Sequence, residues 1–251
     1  MQLFEKTRKK VSAALCDYDM IKDGDRVLVA VSGGKDSAIL ALILEDIRRK
    51  AKINFTFQAV MLDQKQPGFD HRPFEAWLDQ NGLTLTLIQE DTYSIVTDKV
   101  KRGKTFCGLC SRLRRGILYN YAHEHGFSKI AFGHHRDDMA ETLLLNLFFN
   151  GHLSSMPPKL KSDDGRNTVI RPLAYVPEMW LEELSGDIAI PILPCNLCGS
   201  QDNLQRAKVK ALLRQLEKDN QDLQSSMLKA MQNIRPSQLM DRNLWDFSRF
   251  A

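Results

Sequence analysis

The chain has 251 residues, 43% hydrophobic and 26% charged, enough to bury one large core or a core with appendages. Its formal charge is +4 and its pI about 8.7, a mild basic excess that says little by itself about an anionic partner. No stretch reaches the roughly 18 uninterrupted apolar residues of a membrane span, and residues 1–10 lack the apolar centre of a signal peptide, so a soluble cytoplasmic protein with no membrane partner is expected.

Residues 7–20 have mixed helical periodicity and are predicted as an N-terminal helix. Residues 26–31 are apolar after Arg26, partly β-branched and followed by Gly33-Gly34, the pattern of a buried strand. A helix over 37–50 follows, with a wide apolar face and basic residues in its last turn, where they complement the helix dipole. Strands are predicted over 55–62 and 83–89, with a helix over 74–81 between them. A basic helix over 110–126 leads to a short strand over 129–132 and a helix over 137–149. The polar stretch 159–167 reads as an exposed loop, 169–171 and 188–193 as short strands, and 203–216 and 221–233 as two terminal helices. Alternating strands and helices imply an α/β fold, a mostly parallel doubly wound sheet with helical N- and C-terminal extensions. The corresponding division is 1–24, 25–200 and 201–251.

The loop after the first strand reads SGGKDS, Ser32 to Ser37. A strand, a glycine turn and a helix start form a phosphate cradle, because backbone N–H groups and the helix dipole converge on an anion there. Lys35 adds a cation, and Ser32 and Ser37 add hydroxyl donors. The spacing is neither G-x-x-x-x-G-K-[ST] nor G-x-G-x-x-G. Asp36 is the telling residue: a carboxylate beside phosphates repels them unless Mg²⁺ lies between. The loop resembles that of the PP-loop, or N-type ATP pyrophosphatase, superfamily. The resemblance implies an adenine nucleotide alpha hydrolase-like fold and cleavage of ATP to AMP and pyrophosphate. ATP binding falls to Ser32, Gly33, Gly34, Lys35, Asp36 and Ser37, with Lys35, Asp36 and Asp137 as catalytic residues. Asp137 lies in a second block, GHHRDD (Gly133 to Asp138), at a strand end entering a helix. It is a candidate second Mg²⁺ ligand beside Asp36, or with Asp138 simply a helix cap. His134 and His135 have no histidine partner at metal spacing and read as exposed or hydrogen-bonded.

Five cysteines in an intracellular chain point to metal or redox chemistry rather than disulfides. Cys107 and Cys110 form one Cys-x-x-Cys pair directly before the basic helix, and Cys195 and Cys198 another; 84 residues separate the pairs, so only the fold can join them. Four thiolates would close a structural zinc site. Three would leave one iron of a [4Fe–4S] cluster open. The spacing alone does not choose. Cys16 stands alone on a helix and is predicted to be a buried small hydrophobe.

The blocks SGGKDS, LDQKQPG (62–68), CGLCSRLRRGILY, GHHRDD, MPPKL and PCNLCGSQ run in order, and the end, MQNIRPSQL…NLWDF, agrees with them. Together they resemble the tRNA-cytidine(32) 2-sulfurtransferase family. The sequence departs from that pattern in ending soon after Phe247 without an acidic tail. The resemblance implies 2-thiolation of cytidine 32 in the tRNA anticodon loop: ATP adenylates the cytosine C2 oxygen, then sulfur is transferred from the cluster. It also implies ATP, Mg²⁺ and a [4Fe–4S] cluster on three cysteines, a cysteine desulfurase as sulfur source, and a homodimer. Cys107 and Cys110 are two cluster ligands; Cys198 is the favoured third, since Gly199 permits a tight turn after it, with Cys195 the alternative. Two other readings compete. One is a PP-loop tRNA thiolase acting on another base through a cysteine persulfide with structural zinc; the other is a non-catalytic RNA-binding module with a structural zinc held by all four paired cysteines.

Around the first cysteine pair, residues 98–116 carry seven basic side chains against one acid. Lys104, Arg112, Arg114 and Arg115 are the candidate tRNA contacts, of the phosphate kind that gives affinity without sequence choice. Lys159, Lys161 and Arg166 extend that surface, and Phe106 is placed for base stacking.

Overall fold

The computed structural model describes residues 2–99, 107–193 and 204–250. Among these, six strands make one sheet: β1 (Arg26–Ala30), β2 (Thr56–Asp63), β3 (Leu85–Gln89), β4 (Lys129–Ala131), β5 (Lys159–Lys161) and β6 (Thr168–Ile170). Their order is β3-β2-β1-β4-β6-β5, and every pair is parallel except β5 with β6. The helices are α1 (Gln2–Asp17), α2 (Lys35–Lys50), α3 (Arg72–Gln80), α4 (Thr92–Lys99), α5 (Cys107–Glu124), α6 (Arg136–Leu145), α7 (Glu178–Asp187), α8 (Leu204–Glu217) and α9 (Leu223–Gln232).

Strand alternation builds the layers. Val27 and Val29 of β1, Ala59 and Met61 of β2 and Ala131 of β4 join the larger core, which includes α1, α2, α3 and α7. Leu28, Ala30, Val60 and Ile130 face the other way and pack on Leu118 and Ala122 of α5. The central strands are therefore buried on both faces, which explains their near-continuous apolar runs. From α2, Ile39, Leu40, Ile43 and Leu44 are fully buried, each stabilising the fold by about 1.5–3 kcal/mol.

The parallel, doubly wound architecture expected from the sequence is the one found. Several elements differ from expectation. Residues 188–193 form no strand: Pro191 lacks an N–H to donate, and Ala189 has φ 47°, incompatible with extended pairing. The helix α7 before them was not anticipated, nor was α4. The stretch 159–167 is not all loop, because Lys159–Lys161 forms β5, an edge strand too short and polar for its alternation to be legible. The helix expected to run to Phe149 ends at Leu145 and continues as a π-helical turn, Asn146–Asn150. The N-terminal helix begins earlier than expected and stops at Asp17. Cys16 is exposed rather than buried, since the inward stripe of α1 is Thr7, Val11 and Ala14. No described helix is long and apolar enough to cross a membrane.

Candidate active site

The strand order reverses between β1 and β4: the chain moves from β1 outward to β2 and β3, then returns to β4 on the other side. Ligands of open parallel sheets bind outside the carboxyl ends of the strands at such a switch point. The two blocks singled out for nucleotide chemistry, 32–37 and 133–138, leave the carboxyl ends of these two strands.

The first block is a stapled turn. Ser37 Oγ accepts the Ser32 N–H at 3.1 Å and donates to the Gly34 carbonyl at 3.1 Å. Gly34 caps α2 in an extended conformation. Gly33 has φ +80°, and its carbonyl accepts the Leu193 N–H at 2.9 Å; a Cβ on Gly33 would lie 2.8 Å from the Leu193 side chain. Leu193 stands two positions before Cys195 in the sequence. Lys35 Nζ lies 2.9 Å from Asp36 Oδ1 and 3.8 Å from Glu178 Oε1. Burial works against its charge, but Asp36, Glu178 and Glu182 outweigh that and raise its pKa.

The second block packs directly on the first. A Cβ on Gly133 would lie 2.9 Å from the Ser37 backbone nitrogen. Asp138 Oδ2 accepts the His135 N–H at 3.1 Å, the capping role considered for it. Asp137 is buried; its Oδ2 accepts the Glu178 N–H at 2.8 Å, at the start of α7. Burial would raise its pKa, yet His135, Arg136 and the Glu178 N–H hold it at about 2. His135 is buried too. Burial disfavours its cation, but Asp137, Asp138 and Asp36 raise its pKa above the ordinary value. Burial pushes His134 down to about 4, against the pull of Asp138. His135 is thus enclosed and locked between two aspartates, while His134 is half-buried.

Three groups in this network carry no motif signal. Glu178 bridges Lys35 and Lys210 of α8, the latter at 2.6 and 2.8 Å. Arg206, also on α8, reaches Asp138 and Glu141, each at 3.2 Å. Sequence periodicity finds α8 but cannot say which face meets which carboxylate.

The helix α5 descends to the amino end of β4, so its first turn lies about 27 Å away, at the sheet's carboxyl edge. Cys107 and Cys110 both fall in that first turn, inside the helix rather than before it. Residues three apart share a helix face. Cys110 is buried, with Sγ 3.1 Å from Gln64 Oε1 just beyond β2. Arg112 and Arg115 are exposed and Arg114 half-buried, and none of the three has a carboxylate within ion-pair distance among the described residues. Lys159 instead bonds the Asp19 carbonyl, and Arg166 bonds Asp164 at 2.6 Å. Lys104, Phe106, Cys195 and Cys198 lie outside the described residues, as does the Cys107 side chain.

Among the described residues no three His, Cys, Asp or Glu converge to hold a metal ion. Two thiols on one helix start suit a cluster that draws its remaining thiolate from the second pair. Asp36, partly exposed beside the phosphate loop, suits a phosphate-bridging Mg²⁺; Asp137 already has one oxygen committed to Glu178.

A family model described as a PP-loop domain matches residues 3–188. The chain is 53% identical over 247 residues to a tRNA-cytidine(32) 2-sulfurtransferase of Bdellovibrio bacteriovorus, covering 98% of this chain and 95% of that one. It is 53% identical over 237 residues to the protein of that name in Coxiella burnetii, covering 94% and 93%. Its fold is similar to that of the U34-tRNA thiolase NcsA from Methanococcus maripaludis, solved with its [4Fe–4S] cluster. The TM-score is 0.73 at 21% identity, over 93% of this chain and 80% of that one.

Proposed function

The chain belongs to the tRNA-cytidine(32) 2-sulfurtransferase family, and we propose that it forms 2-thiocytidine at position 32 of the tRNA anticodon loop, using ATP. The observation that carries this reading is one of placement. The phosphate loop, the 133–138 turn and the Cys107–Cys110 helix start share a single edge of the sheet.

The backbone N–H groups of 33–37 and the start of α2 receive the phosphates, with Lys35 neutralising charge. The cytosine C2 oxygen attacks the α-phosphorus of ATP, and pyrophosphate leaves. C2 then bears an AMP leaving group, which sulfur displaces; AMP departs with the former C2 oxygen. The loop contributes position and charge stabilisation, both preorganised by the Ser32–Ser37–Gly34 staple. Asp36, and the Asp137 oxygen not held by Glu178, would hold Mg²⁺, which screens the phosphates from these carboxylates. Cys107, Cys110 and Cys198, with Cys195 as the alternative third, would hold a [4Fe–4S] cluster, which supplies a site for carrying the incoming sulfur. Lys104, Arg112, Arg114 and Arg115 grip tRNA phosphates beside it. On family resemblance, a cysteine desulfurase provides the sulfur and the working unit is a homodimer. The proposed division is 1–24, 25–200 and 201–251, with Arg206 and Lys210 of the last part reaching Asp138, Glu141 and Glu178 at the site.

The test is tRNA-dependent pyrophosphate release together with nucleoside analysis of the product. We expect 2-thiocytidine at position 32 with the native enzyme and neither product with Asp36→Ala, whose iron content and circular dichroism stay native. Thiolation of another base would overturn the substrate assignment. Normal turnover by Asp36→Ala would remove Asp36 from the metal role.

A further inference from the structure

Gln64 is the first residue beyond β2, and it is 5% exposed. Its carbonyl accepts the Tyr93 N–H at 3.1 Å, which ties its backbone to the start of α4. Its side-chain Oε1 accepts two hydrogen bonds at once, from Thr92 Oγ1 at 3.1 Å and from Cys110 Sγ at 3.1 Å. Thr92 and Cys110 are also buried, at 3% and 6% exposure. A fixed amide therefore sits against one of the proposed cluster sulfurs, out of reach of bulk water. Nothing in the phosphate chemistry uses it.

The present arrangement suits a thiol, because S–H donates and the amide oxygen accepts. A sulfur bound to iron has no proton to give. Oε1 would then face an electron-rich sulfur with nothing between them, a costly pairing of two buried acceptors. A half-turn of the amide removes the conflict. It puts the Nε2 hydrogens where Oε1 was, one toward the sulfur and one toward Thr92 Oγ1, whose hydroxyl rotates to accept. Only a primary amide accepts in one orientation and donates in the other within the same volume. Glutamate has the shape but no donor, and leucine has neither function.

We propose that Gln64 is a positioning residue for Cys110: its amide accepts the hydrogen bond of the thiol in the metal-free chain and, turned over, donates to the same sulfur when the cluster is bound. Thr92 is the anchor that bonds this end of the amide in either orientation. Donors to cluster sulfurs help set the reduction potential, and they favour the reduced, more negative cluster. The inference rests on the assignment of Cys110 as a cluster ligand.

The experiment compares the full chain, reconstituted anaerobically with iron and sulfide, as wild type, Gln64→Leu, Gln64→Glu, Thr92→Val and Cys110→Ser. Iron per folded chain and the midpoint potential are the readouts. Gln64→Leu should lower the reduction equilibrium about tenfold, or about 59 mV for one electron. Gln64→Glu should lower it further, because it brings a charge and no donor. Thr92→Val should move it less and in the same direction. A merely structural role predicts the opposite ranking, with isosteric Glu near wild type and Leu worst. If a variant holds too little cluster to titrate, iron retained per folded chain replaces the potential, with the same ranking expected. Native potentials in both Gln64 variants, with Cys110→Ser losing iron, would overturn the role of Gln64 alone. Full iron in Cys110→Ser would overturn the ligand assignment and this inference with it.

Discussion

Gly133 and Ser37 touch backbone to backbone across the switch point: a Cβ on Gly133 would sit 2.9 Å from the Ser37 nitrogen and 3.1 Å from its Cα. The close approach sets the 133–138 turn directly against the first turn of α2. Neither neighbour can yield by rotating a side chain, because the obstructing atoms are main chain. Gly133→Ala should therefore displace the phosphate loop and raise the Kd for ATP by about tenfold or more, about 1.4 kcal/mol. Calorimetric titration with ATP checks this, and native affinity would mean that the loop relaxes without loss. The strain falls two residues beyond β4 and on the buried first turn of α2, so the melting temperature should fall as well.

The cysteine assignment predicts an unequal set of four mutants. Cys107→Ser and Cys110→Ser should each lose iron, since two remaining thiolates hold a cluster poorly. Cys198→Ser should lose it as well, and Cys195→Ser should keep it. A closed zinc site of four thiolates would loosen comparably in all four. Iron, zinc and sulfide assays on anaerobically prepared protein separate the outcomes. Equal loss across the four with zinc present would sink the open-iron arrangement.

Arg114 and Arg115 lie in the same helix as the first cysteine pair and have no carboxylate partner among the described residues. Replacing both with alanine should weaken tRNA binding and flatten its salt dependence by about one log–log unit per lost phosphate contact. Binding isotherms across a salt series measure the slope. An unchanged slope would place this helix away from the RNA.

Asp25 and Lys129 form an ion pair at the opposite edge of the sheet, with both side chains nearly buried. Burial would raise the Asp25 pKa, but Lys129, the Lys22 N–H at 2.6 Å and Ser128 Oγ at 2.7 Å hold it below its usual 3.8. A carboxylate depressed on folding stabilises the native state fully above its unfolded pKa, and that contribution vanishes as pH falls through the lower folded value. Asp25→Asn should cost on the order of 3 kcal/mol near neutrality, because it strands the lysine charge. The gap between the mutant and the native chain should narrow below about pH 4 as the native carboxylate is protonated. Thermal melts from pH 7 to pH 3 would show it, and a gap independent of pH would contradict the assignment.

Much of the local structure around the candidate site was legible in the residues alone. Ser32 to Ser37 form a stapled glycine turn through their own backbone and the helix they lead into, and the strand before them is enough to aim it. The alternation of Val27, Leu28, Val29 and Ala30 likewise declares a strand buried on both faces before any partner is known. Short polar elements were not legible. Lys159–Lys161 becomes a strand only because β6 offers it a neighbour, and residues 188–193 fail to be one because Ala189 and Pro191 forbid it. The role of Asp137 as the anchor of Glu178, the reach of Arg206 and Lys210 from α8, and the contact of Gln64 with Cys110 join residues 32 to 68 positions apart. No periodicity or motif spacing encodes such pairings. They are decided by which strand lies beside which, and so only by the folded chain.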